Sequence, residues 1–284
     1  VLSRLRPTTL EPPLNSPLQF PSIDPVAFAL GPLAVHWYGI MYLLAFGCAW
    51  WLAKLQAARP GAAVKVKAVD DLIVWGARGV ILGGRIGYVV FYNFTAWAAD
   101  PLLIVKIWQG GMSFHGGLLG VVVALLWYAR KHHISAVALV DFAAPLVPTG
   151  LLFGRLGNFI GQELWGRPTD VSWAMVFPRD PLQLPRHPSQ LYEAVAEGAL
   201  LFLLVWWFAS KPRLRGQVGG LFLLGYGLAR FSVEFVREPD QHLAANSGLI
   251  AGLEWMTRGQ WLCLPMIVIG GWLLAPTARG KRWL

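Results

Sequence analysis

The segment Gly154-Arg155-Leu156-Gly157-Asn158-Phe159-Ile160-Gly161-Gln162-Glu163-Leu164-Trp165-Gly166 sets a guanidinium, an amide and a carboxylate at the end of an apolar run. An ionisable group is costly there and marks a functional site by default. Arg155 and Asn158 are three residues apart and Gln162 lies seven from Arg155, so on a helix they share one face. A second polar stripe, Tyr226, Arg230, Glu234 and Arg237, recurs at i, i+4, i+8 and i+11 down another face. Arg230 and Glu234 also fit a plain internal ion pair, which lowers the cost of burying either.

Arg78 and Arg85 are seven apart, with Tyr88 and Tyr92 continuing from Arg85. Arg78 falls where it can snorkel, and Arg85, deeper in the run, is the better ligand candidate. His115 sits between glycines in Gly110-Gly111-Met112-Ser113-Phe114-His115-Gly116-Gly117, which lets backbone or substrate come close. An imidazole of ordinary pKa, about 6.5, accepts a proton near neutrality, so His115 is the candidate base. His36-Trp37-Tyr38 fits an aromatic belt anchor, although Tyr38 could equally point inward. His187-Pro188-Ser189-Gln190-Leu191-Tyr192-Glu193 reads as a helix start, with proline and an acidic residue in the first turn. His132-His133 beside Lys131 is a solvated charge run without a spacing partner for a metal. Cys48 and Cys263 lie in apolar runs, with no metal-ligand or CxxC spacing, and read as packed thiols. Arginines interleaved with Glu, Asn and Tyr suit an anionic headgroup, because guanidinium offers a rigid two-pronged fork for phosphate. A phospholipid is the small partner that these residues fit.

The elements that position them are helices in a bilayer. Of 284 residues, 56% are hydrophobic and only 14% charged, against about a quarter charged in a soluble domain. The chain is expected to be an all-α polytopic membrane protein, with residues 1–284 forming a single integral membrane domain. The net charge of +9 does not imply nucleic acid, because the basic residues stand between apolar spans and do not cluster on a soluble face. The first 24 residues hold no apolar block of signal-peptide length, so insertion is expected to be directed by the first span.

Seven transmembrane helices of about 20 residues are expected, at 36–55, 71–91, 114–129, 138–160, 190–209, 219–235 and 260–274. The stretch 95–108 is interrupted by Asp100-Pro101 and reads as interfacial or re-entrant. Lys54, Arg59, Lys65, Lys67, Arg130, Lys131, Lys211, Arg213, Arg215, Arg279, Lys281 and Arg282 fall on one set of short loops. The positive-inside rule makes those loops cytoplasmic, with the N-terminus outside and the C-terminus inside. Two long outer connections follow, 161–189 and 237–259. The first holds Trp165, Trp173, Phe177 and several prolines and is expected to form a small extracytoplasmic lobe. Gly79, Gly83 and Gly87, and again Gly116 and Gly120, make small-xxx-small ladders for close helix packing. No repeated halves are visible, which weakens a transporter reading.

These motifs together resemble the bacterial prolipoprotein diacylglyceryl transferases. The resemblance is carried by Gly154–Gly166, Gly111–Gly117, His36-Trp37-Tyr38-Gly39, Gly83-Gly84-Arg85-Ile86-Gly87-Tyr88, His187–Glu193, and Tyr226-Gly227 followed by Arg230 and Glu234, in family order from about residue 25 to 275. The family usually has Asn where this chain has Gly161, and Gly where it has Gln162. The resemblance implies a seven-span enzyme of the bacterial inner membrane that needs no metal or other cofactor. Such an enzyme transfers the diacylglyceryl group of phosphatidylglycerol to the lipobox cysteine thiol in a prolipoprotein signal peptide, releasing glycerol phosphate. On this reading His115 takes the thiol proton, with Glu163 or Glu234 orienting or substituting. Arg155 and Arg230 stabilise the departing phosphate, and Asn158, Tyr38, Tyr226 and Arg85 bind the lipid. The rival readings are a lipid transporter or flippase using the same arginines without chemistry, and a scaffold whose buried charges are merely paired.

Overall fold

In the computed structural model the described residues are 17–31, 33–106, 108, 110–238 and 255–275. The chain is mostly helical. Among the described residues the α-helices are α1 (Trp37–Ala57), α2 (Val69–Tyr92), α3 (Phe94–Ala99), α4 (Phe114–Lys131), α5 (Ala136–Ala143), α6 (Val147–Gly161), α7 (Ser189–Phe208), α8 (Gln217–Val233) and α9 (Arg258–Leu274). Short strands lie outside them, so the all-α expectation is corrected to mostly α. These are β1 (Leu18–Gln19), β2 (Val26–Leu30), β3 (Leu33–His36), β4 (Met175–Val176) and β5 (Pro185–Arg186).

Among the described residues three stretches, Trp37–Ala57, Val66–Tyr92 and Ser189–Phe208, are long and apolar enough to cross a membrane. The bent pair α5 and α6 makes a fourth if taken as one span. The single helix expected at 138–160 is broken by 46°. Pro145 cannot continue α5, and Pro148 opens α6 in its first turn, where a missing N–H costs nothing. Helices α4, α8 and α9 have 18, 17 and 17 residues, about 26–27 Å at 1.5 Å per residue and so just short of a hydrocarbon core of about 30 Å.

The glycine ladders do what their spacing implies. A Cβ on Gly79 would sit 2.6 Å from the Gly120 carbonyl oxygen, and one on Gly87 would sit 2.7 Å from the Gly116 Cα. Backbone therefore meets backbone between α2 and α4, and no side chain fits between them. An apolar core forms where α1 ends, α2 begins, α4 ends and α5 begins, around Leu52, Val64, Val69, Tyr128, Leu139 and Phe142. Nearby, the Asp141 carboxylate accepts from the amides of Gly216 (2.6 Å) and Gly219 (2.8 Å). It thus satisfies the open N–H groups at the start of α8.

The stretch 95–108 is no span: α3 and a 3-10 turn (Pro101–Ile104) are separated at Asp100, whose carboxylate accepts from the Leu102 amide and pairs with Lys106 at 2.6 Å. Within 161–189, β4 pairs antiparallel with β5 and parallel with β1. The segment before the first helix is therefore stitched into this small sheet, with Phe20 packed on Phe159 and Phe177. Most of the second outer connection, and the basic residues Arg4, Arg6, Arg279, Lys281 and Arg282, lie outside the described residues.

Candidate functional site

Helices α6, α7 and α8 bring their ionisable residues to one point near the small sheet. Helix α6 supplies Arg155, α7 supplies Glu193 and Glu197, and α8 supplies Tyr226 and Arg230. The turn that follows α8 adds Glu234 and Arg237. The Arg155 Nε pairs with Glu193 Oε2, and its Nη2 stands 3.8 Å from Glu197 Oε2. Arg230 Nη1 lies 3.3 Å from Glu193 Oε1 and 3.8 Å from Glu197 Oε1, while its Nη2 is 2.5 Å from Glu234 Oε2. Arg237 reaches Glu193 at 3.6 Å and Glu234 at 3.9 Å. The Thr257 hydroxyl, at the N-cap of α9, donates to Glu234 Oε1 at 2.9 Å. Glu193 is 1% exposed and Glu197 0%. Charges this deep persist only when paired, and here every carboxylate faces at least two guanidiniums.

Local backbone chemistry explains how α7 presents two carboxylates. Ala194–Leu200 is wound as a π-helix, a departure from α geometry that often marks functional sites. It packs on α6, with the Gly198 Cα side against Leu152. At the head of α7, the Ser189 hydroxyl donates to the Leu164 carbonyl (3.1 Å) and the Gln190 amide to the Glu163 carbonyl (2.7 Å). The motif that reads as a helix start also clamps the chain leaving α6.

A second polar group adjoins α6. The Tyr38 ring lies against Gly157, and its hydroxyl faces Tyr42 and the Asn158 amide, with the Glu163 carboxylate close enough to act on it. Tyr38 thus packs one side of its ring on α6 while the residue stays 40% exposed. Gln162 caps α6 in the left-handed conformation, φ 53°. That conformation suits glycine far better than other residues. In this chain the Gln162 Oε1 accepts from the Arg179 amide at 3.0 Å, and the Arg179 guanidinium donates to the Gly161 carbonyl at 2.8 Å.

The segment between α6 and α7 is pinned to the same site. Arg186 binds Asp180 at 2.6 Å and Glu238 at 3.1 Å, and donates to the Gly166 carbonyl. Burial alone pushes the Asp180 carboxyl up, but Arg186 and the amides of Leu182 and Leu184 outweigh it and hold the group below its ordinary value. Gly166 bridges to Arg237, and a Cβ there would meet the Val236 carbonyl oxygen at 2.5 Å. Only glycine allows this contact, which fixes the turn carrying Glu234 and Arg237. An apolar groove of about 450 Å³ lies alongside, lined by Trp173, His187, Tyr192, Ser232, Val233 and Val236. Burial lowers the pKa of the His187 imidazole.

Among the expected residues, the structure joins Arg155, Arg230, Glu234 and Tyr226 in one cluster, and Asn158, Tyr38 and Glu163 in the adjoining group. Arg85 and His115 are placed elsewhere. Arg85 is buried, and its guanidinium donates to the carbonyls of Leu103, Ile104, Lys106, Gly110 and Gly111. It staples the segment that leads into His115. His115 itself is exposed at the start of α4, edge-on to Phe114. Sequence reasoning passed over Glu197 and read Glu193 as a helix-start residue. A carboxylate pair four apart in an otherwise apolar run was the available signal. Among the described residues, no group of three His, Cys, Asp or Glu side chains is arranged to hold a metal ion.

A family model described as prolipoprotein diacylglyceryl transferase matches residues 25–275. Three similar relatives bear the name phosphatidylglycerol–prolipoprotein diacylglyceryl transferase. The one from Acinetobacter baylyi is 54% identical over 260 residues, covering 90% of this chain and 93% of the relative. That from Vibrio cholerae is 57% identical over 253 residues, 89% and 91%, and that from Bordetella avium 56% over 263 residues, 92% and 97%.

Proposed function

Because the chain belongs to the prolipoprotein diacylglyceryl transferase family, we propose that it transfers the diacylglyceryl group of phosphatidylglycerol to the lipobox cysteine thiol of prolipoproteins. The bond between the diacylglyceryl carbon and a phosphate oxygen breaks. The thiol sulfur bonds to that carbon, and glycerol phosphate leaves with the electron pair. The observation that carries the assignment is the buried arginine–glutamate cluster of α6, α7 and α8. Negative charge grows on the departing phosphate, and donors held in place around it by fixed carboxylates lower the barrier. Arg155 and Arg230 are the phosphate ligands in this reading, flanked by Tyr226, Asn158 and Tyr38. Glu193 and Glu234 fix their guanidiniums.

A thiol of ordinary pKa, about 8.5, is mostly protonated at neutral pH and must lose its proton to attack. His115 is the proposed acceptor, with Glu163 beside Tyr38 as the alternative. Arg85 contributes by holding the carbonyls of Leu103, Ile104, Lys106, Gly110 and Gly111 and thereby the start of α4.

The proposal includes seven spans, namely α1, α2, α4, the bent α5–α6 pair, α7, α8 and α9, in a bacterial inner membrane. Arg59, Lys65, Lys67, Lys211, Arg213 and Arg215 on the connections, with Lys54 in the last turn of α1 and Arg130 and Lys131 in the last turn of α4, fall at the ends that this arrangement puts in the cytoplasm. The cluster and the lobe of 161–189, joined by β1, then face outward, with the N-terminus outside and the C-terminus inside.

The test is to incubate the purified protein with phosphatidylglycerol vesicles and a lipobox peptide. A thioether-lipidated peptide and free glycerol phosphate are expected in equal amounts. Lipid binding or movement without either product would favour a transporter and overturn the assignment.

A further inference from the structure

One buried carboxylate, Glu197, has no part in the proposed transfer. Glu197 is fully buried, and neither of its oxygens accepts a hydrogen bond. One oxygen stands 3.8 Å from Arg155 and the other 3.8 Å from Arg230, so it sits between the two guanidiniums proposed to grip the phosphate. Its neighbours differ. Glu193 is paired directly with Arg155 and lies within 3.3 Å of Arg230, and Glu234 has Arg230 at 2.5 Å and a hydroxyl from Thr257 at 2.9 Å.

Charge counting makes this difference matter. The described cluster holds the guanidiniums of Arg155, Arg230 and Arg237 against the carboxylates of Glu193, Glu197 and Glu234. Over these contacts, three guanidiniums face three carboxylates when all are ionised, and Arg237 makes a further contact as well. A phosphodiester arriving between Arg155 and Arg230 adds a negative charge in a place where an uncompensated charge is prohibitive. Either the anion is excluded or one carboxylate becomes neutral. The groups facing Glu197 are Arg155 from α6, Glu193 on its own helix, Tyr226, Arg230 and Arg237 from α8 and its following turn, and Cys263 from α9. Of the three carboxylates, Glu197 has the most distant nearest guanidinium and no hydrogen bond, so protonating it forfeits least.

We infer that Glu197 takes up one proton when the anionic phosphate of the lipid enters between Arg155 and Arg230, so that lipid binding and protonation of this carboxylate are coupled. The inference rests on the proposed phosphate site. Linkage gives the sign: over the range in which free Glu197 is ionised, lipid affinity falls about tenfold per pH unit as pH rises. Thiol chemistry does not enter, because the coupling belongs to binding without peptide.

The experiment is calorimetric titration of the wild-type protein with phosphatidylglycerol in phosphatidylcholine nanodiscs, without peptide, in buffers of different ionisation enthalpy between about pH 6 and 9. Uptake rising to one proton per bound lipid towards the alkaline end of this range is expected there, together with a new infrared carbonyl band of a protonated carboxyl. Glu197→Gln, nearly the same in shape, should bind the lipid with no proton uptake and a flat pH dependence. Binding by the wild type at about pH 9 without proton uptake or a new band would overturn the inference whether or not the variant folds. Equal uptake by wild type and Glu197→Gln would also overturn it. The underlying site fails separately, if Arg155→Ala and Arg230→Ala both bind phosphatidylglycerol as tightly as wild type.

Discussion

Removal of Arg230 separates structure from chemistry at the cluster. In Arg230→Ala, Glu234 loses its partner at 2.5 Å and Glu193 one at 3.3 Å. Three carboxylates then face two guanidiniums. Removing one member of a buried ion pair costs about 3–5 kcal/mol, a large share of the roughly 5–15 kcal/mol that holds a typical protein together. Transfer should fall further than stability explains, because losing one fixed donor to a developing oxyanion costs roughly 10²–10³-fold in rate. The double variant Arg230→Gln with Glu234→Gln restores charge balance by leaving Arg155 and Arg237 opposite Glu193 and Glu197. It should regain more than half of the lost stability in detergent unfolding, yet stay at least about 10²-fold slower in the lipobox-peptide assay. Recovery of transfer to within tenfold of wild type would show that Arg230 only balances charge, and would refute the reasoning.

Other outcomes follow from single contacts. Gly166→Ala forces a Cβ against the Val236 carbonyl oxygen and His187; it should lower stability by about 1–3 kcal/mol and reduce transfer, and unchanged unfolding would contradict the packing argument. Asp180 is held below its ordinary pKa, so its contribution is present above the unfolded value near 4 and is lost as pH falls through the folded one. Hydrogen exchange of residues 166–187 should therefore accelerate on acidification in wild type, and Asp180→Asn should be fast already at neutral pH; identical acid profiles would count against this. Arg85→Lys offers three donors in place of a five-carbonyl fork. Limited proteolysis within residues 94–111 should increase and kcat should fall with the lipid KM unchanged, whereas a raised KM alone would return Arg85 to the lipid site.

How far the sequence spoke for the fold depended on the range of the interactions. Charges inside apolar runs are visible without coordinates because their cost is local, and Arg155, Arg230 and Glu234 stood out for that reason. The ladders Gly79-Gly83-Gly87 and Gly116-Gly120 were readable too, since close packing leaves a periodic mark. The role of Arg85 was not, because its carbonyl partners come from an irregular segment 18 to 26 residues away. Glu193 was hidden by the neighbouring proline, which gave an acidic residue an ordinary capping explanation, and nothing in Ala194–Leu200 announces a π-helix. Pairing of Leu18–Gln19 with Met175–Val176 joins strands more than 150 residues apart and leaves no local pattern. The bend between α5 and α6 was written in Pro145 and Pro148, but apolarity across 138–160 concealed it.

The central claim is that Arg155 holds the lipid phosphate for transfer, and Arg155→Ala tests it most directly. The variant is prepared to the same level of membrane insertion as wild type and given phosphatidylglycerol and a lipobox peptide. No detectable thioether product is expected, with lipid binding weakened at least about tenfold, in keeping with the loss of a charge-assisted, two-pronged contact. Transfer at the wild-type rate by a correctly inserted Arg155→Ala protein would contradict that claim.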